Sequence, residues 1–170
     1  MSNQAVQMYA LNLDQIERLI AETLPSYFNA SHTNNSLDNR SDDKGPEPEA
    51  VVTALVGGKV YAMVGLERIG GVAVYDVSDP YQPSFVSYSN ARDFSQTPAL
   101  GQGGDLGPEG LLFIPAASSP SGLPLVAVAN EISGTVGLFH FAPMPTSESN
   151  ANVWLASQLD DSALAATPVL

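Results

Sequence analysis

The stretch from Tyr61 to Val77 returns, without a gap, as Leu125 to Phe141, 64 positions later. Val64, Glu67, Gly70 and Val72 reappear as Val128, Glu131, Gly134 and Val136. Tyr75 and Val77 return as Phe139 and Phe141. Each copy reads as an apolar strand, a glutamate, a short glycine-bearing turn and a second apolar strand. That is the pattern of a β-hairpin, and a repeated hairpin predicts repeated sheet units.

The repeat reaches further back. Pro48-Glu49 precedes the first hairpin and Pro108-Glu109 the second, now 60 positions apart. The difference falls in a turn, where Ser118 to Gly122 stands in the place of Gly57-Gly58. Added length there costs little closure entropy. Strands are predicted over Ala50–Leu55, Val60–Leu66, Gly71–Val77 and Pro83–Asn90. They are predicted again over Gly110–Pro115, Pro124–Asn130 and Thr135–Phe141.

Residues 50–142 thus hold two β units, about 45–90 and 105–142. Residues 1–25 carry a helix over Leu11–Leu24, with Leu13, Ile16, Ile20 and Leu24 at helical spacing and Pro25 at its end. Residues 26–49 are a polar acidic loop. Residues 143–170 form a tail, with a weak helix predicted over Asn152–Leu164 around Trp154. The expected class is mainly β: about two blades of an incomplete β-propeller, with one N-terminal helix. Two blades leave open edges. The chain is then a fragment, pairs with other chains, or packs its two units as a small sandwich.

Charge narrows the partners. The 170 residues hold 6 Lys and Arg against 18 Asp and Glu, a net charge of −12. Nucleic acid is excluded as a partner, because phosphate contacts need clustered Lys and Arg. The same balance favours cations. Without cysteine there are no disulfides, thiolate metal sites or thiol nucleophiles. No apolar run approaches the ~18 residues that span a bilayer. Met1 to Ala10 lacks the basic and apolar regions of a signal peptide.

Three segments carry a resemblance: Asp38 to Glu49, Gly65 to Val72 (Gly-Leu-Glu-Arg-Ile-Gly-Gly-Val), and Gly104 to Leu111 (Gly-Asp-Leu-Gly-Pro-Glu-Gly-Leu). Through them the chain resembles the C-terminal part of the choice-of-anchor I proteins. These are large secreted bacterial β-propellers, often labelled alkaline phosphatase-like or phytase esterase-like. The resemblance covers roughly Leu11 to Phe141. It implies an extracellular or periplasmic location and further propeller blades, or another chain, as partners. It also implies Ca²⁺-assisted hydrolysis of a phosphoester. A non-enzymatic surface module that binds a protein or glycan is the competing class.

Candidate site residues follow from the repeat. Glu49 and Glu109 open equivalent strands, and in a propeller the innermost strand lines the channel. Carboxylates converging there suit a hard cation such as Ca²⁺, which takes six to eight oxygens. Glu67 and Glu131 are a second equivalent pair, placed to hydrogen-bond turn backbone or to add ligands. Asp42 and Asp43 could serve an irregular Ca²⁺ loop. An EF-hand is excluded, since counting from Asp38 puts Arg40 at a ligand position. Arg40, Lys44, Arg68 and Arg92 are read as neutralising these acids or as contacts for a substrate phosphate. No nucleophile elbow, His-Glu-x-x-His or phosphate-cradling loop occurs. His140 falls where Asp76 stands in the first copy and reads as a strand-face residue.

Overall fold

The computed structural model describes residues 13–98 and 102–141, and a two-residue strand at 155–156. Helix α1 spans Leu13–Thr23. Its inward face is Ile16, Leu19 and Ile20, spaced three and four apart as one helical stripe requires. Leu24 N–H still donates to Ile20 O at 2.8 Å. Pro25 has no N–H to continue the ladder, and a short 3-10 turn over Pro25–Tyr27 follows.

Two antiparallel sheets follow. The first is β1 (Pro48–Val56), β2 (Lys59–Leu66), β3 (Val72–Asp76) and β4 (Ser84–Ser89), hydrogen-bonded in that order. The second is β5 (Pro108–Ile114), β6 (Leu125–Asn130), β7 (Thr135–Phe141) and β8 (Leu155–Ala156), in the same order. Gly57 and Gly58, at φ 60° and 83°, make the tight turn from β1 to β2. Positive φ at both central residues is what a two-residue hairpin requires.

The registers repeat as the sequence predicts. Val51 pairs with Val64 as Leu111 pairs with Val128. Met63 pairs with Val74 as Ala127 pairs with Leu138. Both inner strands slip register at the same place, between Pro48 and Ala50 and between Pro108 and Gly110. Glu49 and Glu109 are therefore the equivalent residues of two β-bulges, a device that re-aims a side chain.

Alternation divides each sheet into two faces. On the first sheet, Ala54, Met63, Val72 and Val74 pack against Val126, Val128, Phe139 and Phe141 of the second. The opposite face of the first sheet, with Val64, Leu66, Ala73 and Tyr75, packs on α1. Inner strands β1 and β5 lie against each other along the seam. The fold is mainly β with no closed barrel, which fits two blades of an incomplete propeller. Among the described residues, no helix is long and apolar enough to cross a membrane.

One expectation is corrected. Leu155–Ala156, placed in a helix by pattern, is a strand on β7, pairing Ala156 with His140 and Leu155 with Phe141. The free edge of β7 offers N–H and C=O groups that a local pattern cannot reveal. The rest of the predicted terminal helix, the tail and the signal-peptide region lie outside the described residues.

Val64 and Val128 are both buried, as their repeat positions require. Val128→Ala should cost on the order of 1–3 kcal/mol. Val136→Ala, on the exposed face, should change stability by no more than about 0.5 kcal/mol. Denaturant unfolding of the two variants checks the facing.

Candidate functional site

The site grows from a difference between the two copies. In the second, Gly107 precedes Pro108 with φ 73°, and an added Cβ would lie 2.6 Å from Ile132. Its carbonyl accepts from Glu131 N–H at 2.8 Å. In the first copy the same place belongs to Glu47, whose carbonyl accepts from Glu67 N–H at 2.8 Å. Glu47 adopts φ 52°, a region that non-glycine residues seldom enter. Opposite it, Arg68 replaces Ile132. So an apolar glycine–isoleucine contact in one unit is a buried ion pair in the other.

Around that pair a charged cluster assembles. Arg68 Nε bonds Glu47 Oε2, and Lys44 Nζ pairs with Glu47 Oε1. Arg68 Nη1 also lies 3.1 Å from Glu67 Oε1. His32, from the polar loop, brings Nδ1 to 3.0 Å from the same Glu67 oxygen. Arg68 Nη1 stands 2.7 and 2.8 Å from the two ring nitrogens of His32. Glu47, Glu67 and His32 are all buried. Glu49, at the bulge, is exposed. Donor oxygens of Glu47, Glu49 and Glu67 all lie within 4.8 Å of one another, the spacing of a candidate metal centre.

Arg92 holds the His32 loop in place. Its guanidinium donates to Ser31 O and Asn35 Oδ1, both at 2.8 Å, and to Asn34 O at 3.1 Å. It donates also to Arg68 O at 2.8 Å. Its Cζ lies 4.6 Å above the Phe94 ring. Burial lowers its pKa to about 10, still far above neutral pH. Arg92 thus ties two segments together through carbonyl oxygens and, among the described residues, pairs with no carboxylate.

Burial and charge set the protonation states. Burial, then the Arg68 charge, lowers the His32 pKa, so the ring is neutral. Burial pushes Glu67 up to about 7, and the neighbouring Glu47 and Glu49 charges add to it against the pull of Arg68. Burial alone would raise Glu47 too, but hydrogen bonds from Lys44 and Arg68 hold it below the usual range. Across the seam, Glu109 is raised by its hydrogen bond with Glu131, then by burial, then by the Glu131 and Glu49 charges. Five carboxylates therefore share this end of the seam with Lys44 and Arg68.

The residues predicted from sequence are placed as follows. Glu49 and Glu109 occupy matched bulges within electrostatic reach of each other. Glu67 is in the cluster, and Glu131 pairs with Glu109. Asp43 is held by Arg40, and Asp42 is exposed; neither joins the three-carboxylate group. Arg68 is central. Sequence reasoning passed over Glu47 and His32. A glutamate facing Gly107 across the repeat is the signal that marks Glu47. His32 carries no such signal, because loop folding alone brings it in.

Comparison with known proteins bears on this cluster. Residues 14–80 match the choice-of-anchor I domain. The family match covers this stretch and not the whole chain. The stretch contains α1 but for its first residue, the polar loop, β1 to β3 and all of His32, Lys44, Glu47, Glu49, Glu67 and Arg68. The chain is also 32% identical over 159 residues to Gigasin-3a of Magallana gigas, covering 81% of this chain and 54% of that protein. It thus spans about half the length of that curated relative. No solved structure matches.

The Glu67 shift has a direct consequence. The folded state holds this proton more tightly than an unfolded chain, whose glutamates titrate near 4.5. The resulting stability is complete below 4.5 and is lost as pH rises to about 7. Glu47, shifted down, contributes the opposite trend at lower pH. Relative to Glu67→Gln, the native chain should therefore lose stability between pH 4.5 and 7. Urea unfolding of both chains across that window measures it.

Proposed function

We propose that this chain belongs with the choice-of-anchor I proteins as part of an exported surface module of the β-propeller kind, and that it binds a hard cation such as Ca²⁺ where its inner strands meet. The observation that carries the reading is the convergence of Glu47, Glu49 and Glu67 oxygens within 4.8 Å of one another. Glu109 and Glu131 add negative charge across the seam. Carboxylate oxygens are the ligands Ca²⁺ prefers. Lys44, more than half exposed, is the group such an ion would displace from Glu47. The ion would take over the neutralisation of the buried Glu47 that Lys44 supplies, so displacement leaves no buried carboxylate unpaired. The cation would cross-link the loop before β1 to the turn after β2, and so brace the first sheet.

A second reading is Ca²⁺-assisted phosphoester hydrolysis, with the ion polarising a phosphoryl oxygen. The neutral His32 against Glu67 favours it, as a candidate proton-transfer pair beside the carboxylates. Against it stand the basic residues. Arg40, Lys44 and Arg68 are paired with carboxylates, and Arg92 donates to Arg68, Ser31, Asn34 and Asn35 oxygens. The non-enzymatic module is the better supported of the two.

Thermal unfolding during a Ca²⁺ titration tests the proposal. With Ca²⁺ at ten times its Kd, the melting temperature should rise by about 3–6 °C. Glu47→Gln with Glu49→Gln should abolish the rise. An unchanged melting point at millimolar Ca²⁺ would remove the cation from this chain. Turnover of p-nitrophenyl phosphate or phytate that needs Ca²⁺ and is lost in His32→Ala would favour the hydrolytic reading instead.

A further inference from the structure

A groove of about 550 Å³ lies between α1 and the outer strands of the first sheet, at the end away from the carboxylate cluster. A bulge builds its wall. β3 and β4 pair Val74 with Ser87 but Tyr75 with Phe85, so Val86 is the extra residue. Without it Phe85 would stand opposite Asp76. With it Phe85 stands opposite Tyr75 on the α1 side, while Val86 packs against the inter-sheet core. Bulges re-aim side chains in this way, often beside sites. The two rings meet edge to face, their centroids 5.7 Å apart and their planes at 71°. Tyr75 is 4% exposed and Phe85 50%, so the first ring is floor and the second presents an open surface.

The helix supplies the polar side. Asp14, Arg18 and Glu22 follow one another at four-residue spacing, so they stand one turn apart along one edge of α1 and line the groove. All three are exposed. Arg40, Lys44, Lys59 and Arg68 pair with carboxylates, and Arg92 donates to carbonyl oxygens. Arg18 pairs with no carboxylate among the described residues, although it has one on either side along the helix. This row selects among ligands by charge. An anion such as phosphate would meet Asp14 and Glu22, and an organic cation would meet Arg18. A neutral polyhydroxyl ring opposes neither sign. Its hydroxyls accept from a guanidinium and donate to carboxylates. Its C–H face packs on an aromatic ring, whose π face is electron-rich. The volume falls within the roughly 300–1,000 Å³ of small-molecule sites. We propose that this groove binds a neutral saccharide, with Phe85 as the stacking platform and Asp14, Arg18 and Glu22 as the hydrogen-bonding row. The site shares no residue with the cation cluster, and neither reading needs the other.

Isothermal titration calorimetry of the full chain tests it, in buffer containing a chelator of divalent cations so that failure of the cation reading leaves the result untouched. The probes are maltotriose, cellotriose and chitotriose, with glucose and N-acetylglucosamine as single rings. At least one of these sugars should bind at millimolar concentration. Phe85→Ala should weaken that binding about tenfold, as expected for the loss of one aromatic contact. Arg18→Ala should weaken it by about tenfold or more, through the loss of charge-assisted hydrogen bonds. Tyr81→Ala removes an exposed aromatic that does not line the groove and should leave binding unchanged. Circular dichroism confirms that each variant keeps its sheets. Tighter binding of a trisaccharide than of its single ring supports a glycan chain as the ligand, and equal binding supports a free sugar. Binding of none of these sugars overturns the proposal, as does full affinity in folded Phe85→Ala. Tighter binding of tetramethylammonium or inorganic phosphate than of every sugar overturns it too, by assigning the groove to a charged ligand.

Discussion

The packing of one sheet on the other underlies everything else in this molecule. Met63 and Val74 share one buried apolar cluster with Val128 and Phe139, which neither sheet could form alone. A lone antiparallel sheet of this size has one face too many for water. The second sheet covers one face of the first, and α1 covers the other. Because both sheets use the same register, the stacking also brings their inner strands side by side. That adjacency turns two bulges on separate sheets, at Glu49 and Glu109, into parts of one charged region.

The cluster shows how a repeat acquires a site. The second unit keeps the arrangement that backbone sterics favour, a glycine at positive φ beside an isoleucine. The first unit places Glu47 in that strained conformation and Arg68 where the isoleucine would be. Local strain of this kind costs of order 1–3 kcal/mol and persists only where surroundings impose it. Here the surroundings are the ion pairs to Arg68 and Lys44 and the hydrogen bond from Glu67 N–H. Arg92 completes the enclosure by fastening the His32 loop to the turn that carries Arg68. Burial raises both carboxyls, and the hydrogen bonds from Lys44 and Arg68 to Glu47 are what spread the Glu47 and Glu67 protonation states apart.

Much of this could be read in the residues. The gap-free match of Tyr61–Val77 with Leu125–Phe141 located four strands and their register, because a period of two leaves little freedom once one face is apolar. The helix was legible from Ile16 and Ile20 and from Pro25. The equivalence of Glu49 and Glu109 was legible too, since each follows a proline at a strand start. Strand β8 was not, because Leu155–Ala156 owes its conformation to the neighbouring edge of β7. His32 was not, because its partners lie on turns more than thirty residues away along the chain, and no local pattern encodes that distance.

The sequence by itself determined the units: their strands and turns, and which residues alternate inward. These follow from short-range rules of backbone geometry and side-chain periodicity. Tertiary structure decided which inward faces meet, and therefore that Val72 is buried while Val136 is open. It also decided that Glu47, Glu49, Glu67 and His32 share one enclosure. Proximity between distant segments depends on how whole faces dock, and docking is set by the summed burial of many side chains rather than by any one of them.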